Sequence, residues 1–421
     1  MDRDDLDGLG DRLTHLLTTY AVPGAQVGLL RRGERTVVCR GSSDLEGRHP
    51  VEAGTAFHAG SLAKSLAGLV VLDAARRGEL DLDVPCRDQA DPAAGLWDDT
   101  PRALLTQTTG RANLLPDIDE GLADFVARVE ALPRVHAPGR FSYGNAGWSV
   151  LDLLLRRRTG SGFEDRATTL LDEVLGWRPD FGPPTGASLP HAVSSDGEVT
   201  QVPSDLAPAA SAAGSRWWAT ADQLLDWAAF QLAPPAGWQP LVEELRRPAA
   251  PLPGSTVFDA WASGWAVWDR GAHQAFGWAG FTGGHRAYLR CFPEQDVAVV
   301  VLANAAGPLF GPPGGSALFD DLLPELLDTL GVPPLPGPAD GTTSRPAAAL
   351  AGQYGPMAVA AVAGDEDLLE VDARFVGQPV PVTYRRHGGD LFDVDGAPPG
   401  STPLSFDDEL AYLGPFALPR L

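Results

Sequence analysis

The pattern of apolar and polar residues predicts strands near both ends of the chain and helices between them. Residues 25–30 (AQVGLL) and 35–39 (RTVVC) are β-prone apolar runs joined by Arg32-Gly33-Glu34, which predicts a hairpin. A second hairpin is predicted at 286–304, where RAYLRCF and VAVVVLAN flank a turn. Residues 80–250 are mostly helix-like, with many Pro and Gly breaks. Together these elements predict an α/β (α+β) fold with one antiparallel sheet flanked by helices and an all-helical subdomain.

Two segments have the apolar pattern of buried helices. Residues 61–77 (SLAKSLAGLVVLDAARR) are apolar nearly all round and are followed by Gly78, a typical helix stop. Residues 318–330 (LFDDLLPELLDTL) follow the second hairpin and also predict a helix. The first of these helices is expected to lie in the core.

The last quarter of the chain has a different pattern. Residues 331–346 (GVPPLPGPADGTTSRP) are rich in Pro, Gly and Thr, which predicts a linker. Short β-like runs follow in 347–421, so we expect a small C-terminal β domain, such as a half-barrel. Residues 1–330 would then form the larger first domain.

Charge limits the classes of partner. The 421 residues carry a formal net charge of -23, and such a surface repels phosphate backbones and anionic lipid. We therefore expect neither nucleic acid nor membrane as a partner. The N-terminal MDRDDLDGLG has no basic or apolar stretch of a secretory signal, so a cytoplasmic protein is expected. The cysteines Cys39, Cys86 and Cys291 are widely spaced and match no disulfide or metal framework.

Lysine usage points to one position. Lys64 is the only lysine in the chain. All the other residues counted as lysine or arginine are arginine. Arginine replaces lysine readily on a solvated surface, but it cannot replace a lysine that must release its proton. Lys64 is therefore a candidate for chemistry.

The sequence Ser61-Leu62-Ala63-Lys64 is an S-x-x-K element at the start of the first buried helix. Residues three apart share a helix face, so the Lys64 amine is expected to reach the Ser61 hydroxyl. Burial favours a neutral amine, which can accept the serine proton and activate a nucleophile. The helix N-terminus would favour a developing oxyanion.

A second candidate element is Tyr143-Gly144-Asn145, where a polar loop meets an amphipathic helix. Tyr143 would shuttle a proton between serine and leaving group if a neighbouring lysine lowers its pKa. Asn145 would bond the lysine or a substrate amide. Taken alone, the pair also fits a tyrosine at a helix entry with a capping asparagine.

A third candidate element is Trp278-Ala279-Gly280, expected just before a strand. Gly280 would let a substrate approach the strand edge, and the Phe281 N–H would pair with that of Ser61 as an oxyanion hole. A glycine-rich turn feeding a hairpin explains the same residues equally well. Three further residues are possible pocket residues, although core packing or, for His285, a surface position also explains them: Trp217, Trp218 and His285.

The order S-x-x-K, Y-x-N and a glycine-containing triplet on a late strand resembles the serine β-lactamase and penicillin-binding-protein superfamily. VPGAQVGLL, RGELDLDVP, LLTQTTG and PEQDVAVVVLAN also resemble segments of class C β-lactamases and their esterase relatives, in the same order. The stretch from LAGQYG resembles the lipocalin-like C-terminal domain of some of these proteins. The resemblance implies Ser61 as nucleophile, Lys64 as general base and Tyr143 as proton shuttle.

One departure bears on the substrate. Relatives often have Lys-Thr-Gly or His-x-Gly in the third element, where the cation meets a substrate carboxylate. Here Trp278 stands at that position, which is similar to family VIII carboxylesterases and argues against β-lactam hydrolysis. The expected function is therefore a serine hydrolase or acyltransferase that acts on small-molecule esters or amides with an apolar acyl part.

Two other functions remain open. Some relatives with a lipocalin-like tail are penicillin-binding-protein-type thioesterases, which cyclise or release a nonribosomal peptide from a carrier-protein thioester. A carrier protein would then be a partner and a peptidyl thioester the substrate. The third alternative is a non-catalytic binding protein that keeps the fold, although Ser61, Lys64 and Tyr143 are all intact. No metal or cofactor is implied by any of these.

Overall fold

The computed structural model describes residues 3–90, 96–203, 208–252, 257–270, 273–307, 314–336, 344–373, 381–396 and 403–421. The helices are α1 (Arg3–Thr19), α2 (Ala63–Arg76), α3 (Pro101–Leu105), α4 (Leu122–Glu130), α5 (Ala146–Thr159), α6 (Phe163–Leu175), α7 (Ala212–Ser215), α8 (Ala221–Leu232), α9 (Gln239–Arg246), α10 (Gly315–Leu330) and α11 (Ala347–Leu350).

Among the described residues, the strands form two eight-stranded sheets, one three-stranded sheet and one two-stranded sheet. They are β1 (Gly24–Arg31), β2 (Glu34–Gly41), β3 (Phe57–His58), β4 (His191–Val193), β5 (Val199–Gln201), β6 (Trp218–Ala219), β7 (Ala250–Pro251), β8 (Ala260–Trp261), β9 (Ala266–Arg270), β10 (His273–Phe281), β11 (Arg286–Phe292), β12 (Val297–Ala303), β13 (Ala305–Ala306), β14 (Gly352–Tyr354), β15 (Met357–Ala361), β16 (Leu368–Asp372), β17 (Val382–Gly388), β18 (Leu391–Val394), β19 (Leu404–Phe406), β20 (Leu410–Leu413) and β21 (Phe416–Pro419).

The first large sheet joins segments from both ends of the larger domain. Its order is β2-β1-β12-β11-β10-β9-β8-β7, and the neighbours pair antiparallel. This confirms the predicted antiparallel sheet and both predicted hairpins. The β1–β2 turn places Arg32 at φ 51 and Gly33 at φ 81, as the two-residue turns that match strand twist require.

Helices cover both faces of this sheet. A side chain at Gly28 of β1 would meet Leu225 of α8, whereas Ala303 of β12 contacts Gly315 of α10. Gly28 pairs with Val300, and Val300 and Ala303 point to opposite faces because side chains alternate along a strand. The fully buried β12 therefore lies between the two helix layers.

Helix α2 is the centre of the helical part. Its residues from Ala63 to Ala74 are all buried, and it contacts α5, α6, α7 and α9. The all-round apolar pattern predicted this position. Within the described part of the chain, no helix has both the length and the apolarity to span a bilayer.

The C-terminal strands form a meander of their own, β14 to β21, with a second hydrophobic core. A bridge between Tyr354 and Arg420 joins the first strand to the residue after the last, so the sheet is a nearly closed barrel. The expected half-barrel is therefore more closed than the sequence suggested. Of the predicted linker 331–346, residues 337–343 lie outside the described residues.

One hairpin of the barrel packs on the larger domain. Leu410, Tyr412 and Ala417 of β20 and β21 belong to the large hydrophobic core rather than to the barrel core. Arg140 donates to Asp407 at 3.1 Å beside this contact. The hairpin thereby joins the two parts of the chain.

Candidate active site

Ser61 lies in a 3₁₀ turn, Gly60–Leu62, that enters α2. The α-helix itself begins at Ala63, two residues later than the S-x-x-K pattern suggested. Gly60 adopts φ 55, a left-handed conformation that glycine reaches without a Cβ clash. In this turn, just before α2, the Ser61 side chain is half-buried.

Lys64 lies one turn deeper and is fully buried. Its Nζ is 3.2 Å from Ser61 Oγ, 2.7 Å from Asn145 Oδ1 and 2.7 Å from the Gly214 carbonyl oxygen. Burial lowers the pKa of Lys64 well below its ordinary value, and no described carboxylate forms an ion pair with it. Desolvation therefore favours the neutral form of this amine.

The partners of Lys64 fix where its lone pair points. A neutral amine has two N–H donors and one lone pair. The Gly214 carbonyl and the Asn145 amide oxygen are acceptors, so they take the two N–H groups. In the neutral form, the lone pair is therefore left to point toward Ser61 Oγ, which lies 3.2 Å from Nζ.

Tyr143 also contacts Ser61, and the centroid of its ring lies 4.9 Å from Lys64 Nζ. Its hydroxyl donates to Ser61 Oγ at 2.8 Å. Burial raises the pKa of Tyr143 to about 12, and hydrogen bonds with Ser61 and Trp278 only partly oppose this effect. The condition considered for a shuttle, a neighbouring lysine that lowers the pKa of Tyr143, is not met, because desolvation outweighs the other contributions.

Two residues that the motifs did not single out hold the Tyr-Gly-Asn segment. Asn113 Oδ1 accepts from both the backbone N and Nδ2 of Asn145, each at 3.1 Å, which turns the Asn145 oxygen toward Lys64. Gln107 Oε1 accepts from the Gly144 N–H at 2.6 Å. An asparagine in an exposed loop has no distinguishing sequence signal, and Gln107 lies in LLTQTTG, which indicated a family resemblance but no role for this residue.

Trp278 precedes β11, as expected, and itself lies near the end of another strand, β10. Strand β9 pairs with β10 only as far as Gly277, so the edge from Trp278 onward is left open on that side. This edge faces the nucleophile turn: a Cβ on Gly280 would lie 1.9 Å from the Ala59 carbonyl oxygen. Gly280 therefore permits the close approach of strand and turn. The next residue, Phe281, has a side chain that is 44% exposed.

The three residues that the sequence offered as possible pocket residues are all buried in the protein interior. Trp217 and Trp218 are 0% and 1% exposed, so they are core residues and present no surface to a ligand. His285 is also fully buried, packed at right angles to the rings of Phe57 and Trp218. The expectation of a surface position for His285 was wrong, because the loop that follows β10 turns this ring into the interior.

The barrel hairpin reaches the candidate site. The Tyr143 backbone N–H donates to the Pro415 carbonyl at 2.9 Å, and the Ala417 N–H donates to Ser142 Oγ at 3.3 Å. The Phe416 ring packs edge-on against the Tyr143 ring, with centroids 5.8 Å apart. The C-terminal part therefore contacts the loop that carries Tyr143.

Comparison with known proteins identifies the class. The family Beta-lactamase matches residues 9–318, and the chain belongs to this family. It is thereby part of the serine hydrolase superfamily that also includes penicillin-binding proteins.

Individual relatives agree with this placement. The chain is 27% identical over 347 residues to penicillin-binding protein 4 of Amycolatopsis lactamdurans, covering 76% of this chain and 89% of the relative. The crystal structure of SurE superposes with a TM-score of 0.76 at 24% identity, covering 99% of both chains, and SurE with D-Leu gives 0.73 at 23% over both whole chains. A class C beta lactamase from Rhodobacter sphaeroides gives 0.63 at 19%, covering 75% of this chain and 98% of its own.

Proposed function

We propose that the chain is a serine acyl-transfer enzyme that forms an acyl-enzyme on Ser61. Lys64 is the general base and Tyr143 the proton shuttle. The observation that carries the proposal is the arrangement at Lys64: its fully buried Nζ lies 3.2 Å from Ser61 Oγ and 2.7 Å from each of two acceptors, the Asn145 amide oxygen and the Gly214 carbonyl oxygen. A non-catalytic binding protein would have no need to bury an amine in this way, since the desolvation is costly.

In the acylation step, neutral Lys64 takes the Ser61 proton while Oγ bonds to the substrate carbonyl carbon. The resulting oxyanion lies between the open edge of β10 and the nucleophile turn, where the N–H groups of Ser61 and Phe281 would donate to it. When the bond to the leaving group breaks, Tyr143 gives its proton to that group. Lys64 is then an ammonium and Tyr143 a phenolate, and the total charge is unchanged.

In the deacylation step, the Tyr143 phenolate takes a proton from the incoming water or amine, which bonds to the acyl carbon. The bond between that carbon and Ser61 Oγ breaks, and Lys64 returns its proton to the serine. Every proton is thus back in its starting place. Asn145 holds Lys64 in both charge states, because an amide oxygen accepts from an amine or an ammonium.

The proposed substrate is an ester or amide with an apolar acyl part. Aromatic side chains surround the open edge: Trp278 lies against Tyr143, Phe281 is exposed at the strand end and Phe416 packs on the Tyr143 ring. A tryptophan at position 278 offers no charge to a substrate carboxylate. This composition supports a donor without an anionic group at that position.

A second candidate is a penicillin-binding-protein-type thioesterase that cyclises or releases a peptide. The observation that favours it is the likeness to SurE, which extends through the C-terminal barrel and includes a structure with D-Leu. The barrel hairpin that contacts Tyr143 belongs to this shared part. For this candidate, a peptidyl thioester that contains D-Leu is the donor to test first.

One experiment tests both candidates. The protein is incubated with a p-nitrophenyl ester and with peptidyl N-acetylcysteamine thioesters ending in D-Leu or L-Leu, with Ser61→Ala as control. Mass spectrometry of protein and products should show an acyl adduct on the wild type and none on the control. A cyclic peptide from the thioester supports the cyclase, and only linear acid supports a hydrolase. Failure of every donor to acylate Ser61 would refute the enzyme assignment.

A further inference from the structure

Trp278 makes a contact that its position in the third element did not predict. Its indole Nε1–H donates to the Tyr143 hydroxyl oxygen at 3.4 Å. We propose that Trp278 is a positioning residue whose N–H fixes the direction of the hydrogen-bond chain and stabilises the Tyr143 phenolate that forms as the leaving group is protonated. The inference rests on the proposed acyl-enzyme mechanism and adds a neutral group to it.

The direction follows from what each group can donate and accept. An indole N–H is a donor with no acceptor atom, so the Tyr143 oxygen must accept from it. The Tyr143 proton is then free to point only at its other partner, Ser61 Oγ. The Ser61 hydroxyl can in turn donate its proton to the lone pair of neutral Lys64. The chain therefore runs from Trp278 through Tyr143 and Ser61 to Lys64, the direction that acylation needs.

Packing holds the indole in this orientation. The Trp278 ring lies 4.9 Å from Trp261 and 5.5 Å from Phe258, both nearly perpendicular, and 5.2 Å from the Tyr143 ring. Trp261 is itself fixed, since its Nε1–H donates to the Leu105 carbonyl at 3.0 Å. The donor is thus in place before reaction, so little reorganisation is needed when charge develops on Tyr143.

The contribution of Trp278 should depend on the leaving group. A hydrogen bond to a charged partner is stronger than one to a neutral partner, so the N–H matters most when Tyr143 becomes a phenolate. Poor leaving groups need the Tyr143 proton as the C–O bond breaks. Good leaving groups, such as p-nitrophenolate, depart as anions and need it little.

The test is a series of aryl and alkyl esters of one short apolar acid, with leaving groups from p-nitrophenol to ethanol. The value of kcat/KM, which reports acylation, is measured for wild type and Trp278→Phe. The loss in Trp278→Phe should be about tenfold larger for the poorest leaving group than for p-nitrophenol, as expected for a hydrogen bond to a charged group. The matched control is Trp268→Phe. The Trp268 indole lies on the neighbouring strand β9, where it stacks on Arg290 at 3.5 Å. This variant should lose the same factor in kcat/KM for every ester of the series.

Trp278→His provides a second variant that keeps a ring N–H donor, and it should retain the wild-type dependence on the leaving group. Equal losses across the series in Trp278→Phe, or a phenylalanine-like dependence in Trp278→His, would overturn the role of Trp278. Those results leave Ser61 acylation intact. By contrast, a wild-type protein that forms no adduct with p-nitrophenyl ester would count against the proposed function itself.

Discussion

At the scale of single residues, the chemistry depends on the cost of burying one amine. Lys64 is surrounded by protein, and desolvation disfavours its charged form. The same burial keeps Tyr143 protonated, with its pKa raised to about 12. Burial thus favours a neutral base and a neutral acid, both within hydrogen-bond distance of Ser61 Oγ.

This protonation state predicts the pH dependence of acylation. Lys64 acts as a base only when it has lost its proton, so kcat/KM rises with pH through the pKa of Lys64. Because burial lowers this pKa, the rise should lie well to the acid side of an ordinary lysine. The measurement is kcat/KM against pH with a p-nitrophenyl ester, corrected for spontaneous hydrolysis. A rise centred at the ordinary value for lysine would contradict the account.

Asn113 offers a test of how Lys64 is held. In Asn113→Asp the acceptor for Asn145 is kept, but a carboxylate is added near the amine, which raises the pKa of Lys64. The rise in kcat/KM should therefore move to higher pH. In Asn113→Ala it should stay in place, while kcat/KM falls about threefold to tenfold at every pH for the lost hydrogen bonds. Identical pH profiles for the two variants would show that Asn113 has no such role.

The sequence predicted some of the residues of the candidate active site and missed others. Spacing and order along the chain were enough to predict five site residues that the structure brings together: Ser61, Lys64, Tyr143, Asn145 and Trp278. The direction of the pKa shift of Tyr143 was missed, since it depends on burial by residues distant in sequence. Asn113 was missed for a similar reason: its partner becomes a neighbour only when the loop folds over Asn145.

At the scale of elements, periodicity and turn residues predicted both hairpins, and the all-round apolar pattern predicted the buried α2. The short strands β7 and β8 are two residues each, too short for any period to appear. For the glycines at the end of β10, the sequence left a turn and a strand edge open to substrate equally possible. Their actual cause is the close approach of neighbouring backbone, which no local pattern reveals.

The hairpin β20–β21 gives a prediction at this scale. Phe416→Ala removes the ring that packs on Tyr143 and should raise KM for esters with a large apolar acyl part, with a smaller change for an acetyl ester. Phe406→Ala is the matched control: its ring packs on Tyr354 and Phe392 within the barrel, away from Tyr143. Both variants are checked by thermal unfolding. Equal effects of the two on KM would mean that the hairpin acts only through stability.

At the scale of the whole molecule, the sequence predicted two parts but not their contact. The β-like runs after residue 346 indicated a separate small domain, and the barrel does have its own core. Yet Leu410, Tyr412 and Ala417 add to the core of the larger part. Apolar residues in a strand show that a face is buried, but they do not show against which domain.

The composition of the site as a whole predicts poor use of β-lactams. Nitrocefin carries a carboxylate, and the tryptophan at position 278 offers no charge to pair with it. Its kcat/KM should be about two orders of magnitude or more below that of a p-nitrophenyl ester, since an unpaired charge is costly to desolvate. Both substrates are chromogenic and can be compared in one assay. Efficient hydrolysis of nitrocefin would overturn this inference about position 278.

The central claim is that a neutral Lys64 removes the proton from Ser61. It is tested most directly by intact-protein mass spectrometry of Lys64→Arg after brief exposure to a p-nitrophenyl ester, beside wild type and Ser61→Ala. Arginine keeps a cation but cannot act as a base near neutral pH. The account predicts one acyl adduct on the wild type and none on either variant. An adduct on Lys64→Arg that forms at the wild-type rate would contradict it.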